Sequence, residues 1–322
     1  MTISSDYAIE VTELKKKYGE VEALHGIDLK VEWGEFYGFL GPNGAGKSTL
    51  IQILTSLIMP TDGSAYVGGA NVASDPDAVR FRIGVALQDT GVDPLLTGKE
   101  LLTIQARVFG MTKKQAVARA DELLQQFHLE DAANRRVKTY SGGMRRRLDL
   151  SLALVHRPGI LFLDEPTTGL DPQNRLGLWE LLRDINKSTG TTIFLTTQYL
   201  EEADALCDRI AIIDQGQIVA EDTPQALKRR LQQEVIELEP VNSENIDQMV
   251  DFLIQQGFVA SQSKEIIRIY SQHGAHDTKL ILTSLEEIGV ELIGLRVTPP
   301  TLDDVFLQLT TAANDGTQRR FA

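Results

Sequence analysis

A single cysteine, Cys207, is all the thiol chemistry the chain carries. No intramolecular disulfide can form, and nothing points to an oxidising compartment. Taken alone, Cys207 reads as a small hydrophobe on a helix. Long apolar runs are also missing: the longest, Leu50 to Met59, is about half of what a membrane-spanning helix requires. Met1 to Glu10 lacks the basic and apolar regions of a secretory signal. Basic charge is in deficit, with 32 Lys and Arg against 45 Asp and Glu and a net charge of −13. That balance argues against a nucleic-acid partner, because phosphate contacts want clustered Lys and Arg. No internal repeat or heptad run is present. These absences predict an intracellular, soluble chain with no direct membrane insertion, which reaches a membrane only through another protein.

With 322 residues, 42% of them hydrophobic, the chain can build one large core and a smaller second domain. Residues 7–40 alternate as strands do, with turn signals at Gly19 and Gly34. A short strand, Glu35 to Leu40, runs into a Gly-rich turn and an apolar helix predicted over Ser48 to Met59. Helical pattern dominates from about Gln88 to Arg157. Strand character returns at Ile160–Leu163, Thr192–Thr196 and Arg209–Asp214, which implies a largely parallel sheet covered by helices, with a helical insert. A change of composition over Leu227–Gln233 reads as a linker. Beyond it, Glu234–Glu239, Glu265–Tyr270 and Val290–Val297 read as strands. Ile246, Met249, Val250, Leu253 and Ile254 share one helical face, and a second helix is predicted over Leu280–Ile288. Thr301 with Asp304 three residues on has the form of a capping box for a last helix. The expected division is therefore residues 1–228, with the helical part at about 88–157, then a small α+β domain at 229–311 and a frayed tail at 312–322.

The most specific segment is Gly41-Pro42-Asn43-Gly44-Ala45-Gly46-Lys47-Ser48-Thr49, set between a strand and a helix. This is the Walker A pattern. Glycines let backbone N–H groups converge on phosphate oxygens, and the helix N-terminus adds its positive dipole end. Lys47 can reach the β and γ phosphates and the Ser48 hydroxyl can ligate Mg²⁺. A mere glycine turn would leave Lys and Ser at these positions unexplained. The apolar strand Ile160–Leu163 ends in Asp164 and Glu165, the Walker B form. Two carboxylates at a buried strand end are costly unless a metal or proton chemistry compensates. Asp164 is suited to hold Mg²⁺ through its water shell, and Glu165 to act as general base on the attacking water. A helix N-cap is the competing reading for either acid. Ser141-Gly142-Gly143-Met144, preceded by Tyr140, opens a further helix and offers another anion-binding end. The Arg145–Arg147 run after it reads, on its own, as a solvated helix face.

These motifs, in this order over residues 7–225, resemble the ATP-binding subunits of ABC transporters. The resemblance implies a P-loop α/β fold: a RecA-like core, an antiparallel β subdomain and a helical subdomain, here followed by the α+β C-terminal domain. It implies ATP and Mg²⁺ as ligands. Ser141, Gly142 and Gly143 match the signature motif, which in the family acts in trans on ATP held by a second subunit. Tyr18 sits where the family stacks an aromatic on adenine, and Gln88 matches the glutamine that touches Mg²⁺ and faces the membrane partner. Asp171, at the end of Thr167-Thr168-Gly169-Leu170-Asp171, matches the residue that helps join two subunits. The implied assembly is a homodimer on a separately encoded transmembrane permease, at the cytoplasmic face of the membrane. Gln198-Tyr199-Leu200-Glu201-Glu202, the signature region and Thr298–Leu307 resemble the daunorubicin/doxorubicin-resistance branch, whose members are typically exporters of small hydrophobic compounds.

Three positions depart from the common pattern. Met144 and Tyr140 replace the usual Gln and Leu of the signature. Gln198 stands where the family has a switch His, and Gln can bond a γ-phosphate oxygen but cannot ionise near neutral pH. If the switch needs a proton, the chain is inactive; if Glu165 is the base, Gln suffices. The retained Asp164–Glu165 pair favours the second. A regulatory protein with little turnover is the alternative reading. Soluble relatives acting in translation or DNA repair need a second cassette or a long coiled coil, and neither is in the sequence. His273 and His276 invite a metal reading without Cys or carboxylate partners at ligand spacing.

Overall fold

A computed structural model of the chain describes residues 6–88, 91–231, 233–241, 246–263, 265–287 and 289–314. The chain divides into two compact units, the first ending at Thr223 and the second starting at Pro224.

The first unit opens with an antiparallel hairpin, β1 (Tyr7–Tyr18) and β2 (Val21–Glu32). Next come β3 (Phe36–Leu40), α1 (Lys47–Leu54), β4 (Asp62–Val67), β5 (Ala70–Asn71), α2 (Pro76–Arg82) and β6 (Ile83–Ala86). The helical segment holds α3 (Gly98–Val108), α4 (Lys113–Gln126) and α5 (Gly142–Ala153). The remainder is β7 (Ile160–Asp164), α6 (Pro172–Thr189), β8 (Thr192–Thr197), α7 (Leu200–Leu206), β9 (Arg209–Asp214) and β10 (Gln217–Asp222).

Two sheets result. One is antiparallel, in the order β2-β1-β4-β5; the other has six strands in the order β10-β9-β3-β8-β7-β6. In the latter all pairs are parallel except that of β9 with β10. Every residue of β3, β7 and β8 is buried, as expected for parallel strands covered on both faces, and this is why they read as unbroken apolar runs. Phe194 of β8 packs against Tyr37, Phe39 and Phe162 with centroid distances of 5.5–5.7 Å. Leu50, Ile51, Ile53 and Leu54 of α1 join this core to the antiparallel sheet. The register pairs Leu40 with Thr197 and Asp164 with Thr196. The carboxyl ends of β3, β8 and β7 therefore stop side by side, where ligands bind in open α/β sheets.

α1 is shorter than predicted, ending at Leu54 rather than Met59. The Thr55 hydroxyl bonds back to the Ile51 carbonyl at 2.7 Å, and Ser56 takes a left-handed φ of 57°, so the chain leaves the helix there. β4, β5, β6 and β10 are additions to the predicted set. Cys207 is buried but lies just past α7 as its C-cap, against Gly38, where an added Cβ would meet its sulfur at 2.8 Å.

The second unit contains α8 (Pro224–Arg230), β11 (Glu234–Pro240), α9 (Ile246–Gln255), β12 (Val259–Ser263), β13 (Ile266–Ser271), α10 (Gly274–Glu287), β14 (Leu292–Thr298) and α11 (Leu302–Asn314). Its antiparallel sheet has the order β12-β13-β11-β14. Ile236, Leu238, Ile267 and Ile269 on one face pack against Met249 and Leu253 of α9 and Ile281 and Leu285 of α10. The capping box forms as predicted: Thr301 N and Oγ1 both donate to Asp304 Oδ2 at 2.7 Å, and Asp304 N donates back to Thr301 Oγ1 at 3.4 Å. Of the predicted tail, residues 312–314 belong to α11, and 315–322 lie outside the described residues.

Candidate active site

The loop between β3 and α1 is shaped by close approach. A Cβ at Gly41 would sit 2.3 Å from the Ile213 carbonyl oxygen, and Gly46 adopts φ 110° with the Ala23 carbonyl oxygen 2.7 Å from where a Cβ would be. Only glycine fits either position without strain. The turn leads straight into the N-terminus of α1, aiming its free N–H groups into an open cavity of about 380 Å³.

Asn43, Gly44, Gly46, Lys47, Ser48 and Thr49 line that cavity from one side, and Gln88, Glu165 and Gln198 from the other. Gln88 arrives just after β6, Glu165 just after β7 and Gln198 just after β8, so four strand ends supply one site. Lys47 is only 5% exposed and donates to the carbonyls of Gly41 at 2.8 Å and Pro42 at 3.2 Å. Its Nζ is 3.8 Å from Glu165 Oε1. Burial pulls the Lys47 ammonium below its ordinary range, while Glu165 and Asp164 push the other way. Glu165 itself holds a left-handed φ of 47°. Its N–H donates to the Thr196 carbonyl at 3.0 Å, and its Oε2 accepts from Thr168 Oγ1 at 3.2 Å. A glutamate kept in that conformation stores strain that the surrounding bonds hold in place. Asp164 is buried behind it and accepts from Thr196 Oγ1 at 2.5 Å. Ser48, Gln88 and Asp164 offer hard oxygen donors of the kind Mg²⁺ takes.

Other predicted site residues stand apart. Gly41 and Pro42 lie behind the loop as the carbonyls that hold Lys47, and Ala45 is buried. Tyr18 is 48% exposed at the end of β1, with the Lys16 ammonium 5.0 Å from its ring centroid, and does not line the cavity. Ser141, Gly142 and Gly143 are also outside it. Ser141 caps α5 by accepting from Met144 N at 3.2 Å, and Asp171 caps α6 by accepting from Asn174 N at 2.9 Å and Asn174 Nδ2 at 2.6 Å. Asn174 in turn abuts Gly143, where an added Cβ would meet its Oδ1 at 3.0 Å. The signature segment and the Asp171 cap thus meet through one asparagine.

Four functional positions carry no clear signal in the sequence. Ala23 and Thr168 complete the cavity wall; Ala23 reaches it through tertiary contacts that no local pattern encodes, and Thr168 lies inside the Thr167–Asp171 motif without being singled out by it. Asn174 is the third. Arg146 is the fourth, and it corrects the solvated-face reading of the arginine run. Arg145 is exposed, but Arg146 is buried. It donates to the carbonyls of Leu87 (2.5 Å), Pro166 (2.9 Å) and Asp164 (3.2 Å) and to Asp149 Oδ2 (3.1 Å). One guanidinium thereby ties the signature helix to the residue before Gln88 and to both flanks of Glu165. Helical spacing from Gly143 through Arg146 to Leu150, all buried, is the signal that could have found it. Even with that ion pair, burial pushes the Asp149 carboxyl up to about 6, the Arg146 charge opposing it.

The chain is similar to known proteins over nearly its whole length. The family model described as ABC transporter matches residues 24–168. A daunorubicin resistance ATP-binding protein of Streptomyces coeruleorubidus is 43% identical over 319 residues, 98% of this chain and 99% of that one. A doxorubicin resistance ATP-binding protein of Mycobacterium tuberculosis is 42% identical over 96% of this chain and 95% of its own. A Nod factor export ATP-binding protein of Bradyrhizobium diazoefficiens is 38% identical over 95% and 97%. Among solved structures, a dimeric ATP-binding cassette in a post-hydrolysis state with ADP and phosphate matches with a TM-score of 0.61 and 30% identity, covering 67% of this chain and 98% of that chain.

Proposed function

The chain belongs to the ABC transporter family as an ATP-binding and ATP-hydrolysing subunit, and from that premise we propose that it drives the export of small hydrophobic compounds through a separate transmembrane permease. The observation that carries the reading is the convergence of the Gly-rich loop, Gln88, Glu165 and Gln198 on one cavity at the carboxyl ends of β3, β6, β7 and β8. The proposed direction and cargo class are supported by the names of relatives concerned with drug resistance and Nod factor export.

In this reading the N–H groups of residues 43–49 cradle the β and γ phosphates. Lys47 exchanges its bonds to the Gly41 and Pro42 carbonyls for phosphate oxygens, which removes a buried ammonium from marginal partners. Glu165 accepts the proton of the attacking water and Thr168 keeps its carboxylate aimed at the cavity. Gln198 donates to the γ-phosphate and holds the water's approach line. Ser48, Gln88 and Asp164 would hold Mg²⁺, which when bound neutralises charge on the phosphoryl oxygens. Ser141, Gly142 and Gly143 lie outside the chain's own cavity, consistent with a role on ATP held by a second copy, with Asp171 and Asn174 beside them at the seam. Tyr18, on β1 of the antiparallel sheet, is the proposed face for adenine. ATP then acts as glue between two subunits because only the closed pair binds it from both sides. Among the described residues no helix is long and apolar enough to cross a membrane, so the permease supplies the path and this subunit sits on its cytoplasmic face.

The test is reconstitution with the permease in inside-out vesicles. Expected are ATP hydrolysis stimulated by the permease and ATP-dependent accumulation of a hydrophobic drug. Hydrolysis indifferent to the permease, with no compound moved, would overturn the transport reading.

A further inference from the structure

The first unit holds a buried carboxyl that the proposed chemistry leaves unused. Glu202, in α7, is 0% exposed. Trp179 Nε1 of α6 donates to its Oε1 at 2.9 Å. Its other oxygen, Oε2, has no hydrogen-bond partner, and neither does the buried hydroxyl of Thr167. The Thr167 and Thr197 hydroxyls both face this carboxyl without completing a bond to Oε2. Thr167 belongs to the loop after Glu165, and its neighbour Thr168 bonds Glu165 itself. Thr197 directly precedes Gln198, and Tyr199, which follows it, carries the Arg175 guanidinium of α6 4.9 Å from its ring centroid. Glu202 therefore stands where the loop of the general base and the loop of the switch residue meet.

Two open atoms of this kind in one buried pocket are expensive. Full burial with one oxygen unpartnered favours the neutral carboxyl, and its O–H is then a donor that Thr167 Oγ1 can accept. We propose that Glu202 is a positioning residue that retains a proton on Oε2 and, by donating it to Thr167, locks the Glu165 loop to the Gln198 loop. The charged groups facing it are Arg175 from α6 and Arg146 from α5, and the Cys207 thiol follows α7. Desolvation raises the Glu202 carboxyl above the ordinary carboxylate range, and the facing hydroxyls, the indole and Arg175 offset part of that rise.

The sign follows from the raised affinity for the proton. The lock is intact below the folded-state value of Glu202 and is lost as pH rises through it. Turnover should fall on the alkaline side while the KM for ATP stays, because Lys47 and the Gly-rich loop do not depend on the lock.

The experiment measures kcat and KM of the full chain with its permease, from about pH 6 to about pH 9, for the native protein, Glu202→Gln, Glu202→Ala, Thr167→Val and Glu165→Gln. Glu202→Gln keeps a neutral donor at the same place, so it should retain turnover and lose the alkaline decline. Thr167→Val removes the acceptor without removing the carboxyl and should lower kcat about tenfold, roughly one hydrogen bond, with KM unchanged. Glu202→Ala should lower kcat further and not be restored by pH. Profiles of Glu202→Gln and the native protein that superimpose would overturn the proposal, as would a KM that moves with kcat. The inference rests on Glu165 and Gln198 flanking the reacting phosphate. If Glu165→Gln stays active, that reading fails; if it is inactive while the other variants behave as native, only the lock fails.

Discussion

Asp304 in the second unit and Glu202 in the first are both fully buried carboxyls, and their surroundings differ sharply. Asp304 Oδ1 accepts from Tyr270 Oη and pairs with Arg268, each at 3.0 Å, while Oδ2 takes both donors of Thr301. Arg268 is itself shared with Glu237 at 3.0 Å. Every oxygen of Asp304 has a partner, and the result ties β13 and β11 to the start of α11. Around Glu202, one carboxylate oxygen, the Thr167 hydroxyl and Arg175 Nε have none. Nearby, Glu165 holds a strained backbone and Lys47 makes do with loop carbonyls. A network that is fully satisfied has no reason to change and serves as scaffold; open valences and strain are kept where a ligand or a second state completes them. The Thr298–Leu307 segment reads on this basis as an anchor for the last helix, not as a second site.

The contrast predicts different losses in the two units. Glu165→Gln keeps the shape of the site and removes the proposed base, so ATP turnover should fall by about 10²- to 10³-fold or more while nucleotide binding is kept. Equilibrium binding of a fluorescent ATP analogue beside steady-state hydrolysis separates the two. A variant that hydrolyses normally would move the base elsewhere and dissolve the contrast at its root.

Asp304→Ala should act on stability. Removing one member of a buried, fully bonded charge network leaves Arg268, Tyr270 and Thr301 short of partners, a loss of about 3 kcal/mol or more. Denaturant unfolding monitored in the second unit is the measurement, with turnover in mild conditions expected within about threefold of native. Turnover lost as steeply as in Glu165→Gln, with unfolding of that unit unmoved, would make Asp304 functional and break the comparison from the other side.

How much of this is legible in the sequence follows from what local sequence can encode. β3, β7 and β8 announce themselves as apolar runs because both their faces are covered. Lys47, Ser48, Asp164 and Glu165 stand out because phosphate chemistry demands those types beside glycines and a strand end. β12, with the sequence Val-Ala-Ser-Gln-Ser, does not, since it is a short polar strand held by pairing with β13. Four-residue β6 is hidden in the same way. Arg146 is masked by the exposed Arg145 next to it, and its partners, Leu87, Pro166 and Asp164, lie 59, 20 and 18 residues away. Glu202 is visible only as one letter of a motif, because burial of a single carboxyl is a tertiary fact. Cys207 is the small buried hydrophobe its residue type suggests, yet it caps the end of α7 and does not lie inside it.

The smallest effect expected is at the position where the sequence departs most from its family. Gln198 lines the cavity opposite Lys47 and Ser48, and its amide supplies both a donor and an acceptor at every pH of interest. A His there would donate as well, but its charge would change with pH around its usual value near 6.5. With Glu165 as the proposed base, residue 198 needs only to bond and orient, so Gln198→His should leave kcat within about threefold at neutral pH. Its signature should be a new acid-side dependence that the native enzyme lacks, read from kcat between about pH 5.5 and about pH 8. The same scan bears on the buried lock, because the alkaline decline assigned to Glu202 should persist unchanged in Gln198→His. A native protein with no turnover that Gln198→His restores would show that the switch must carry a proton, and the role of base would then pass from Glu165 to residue 198.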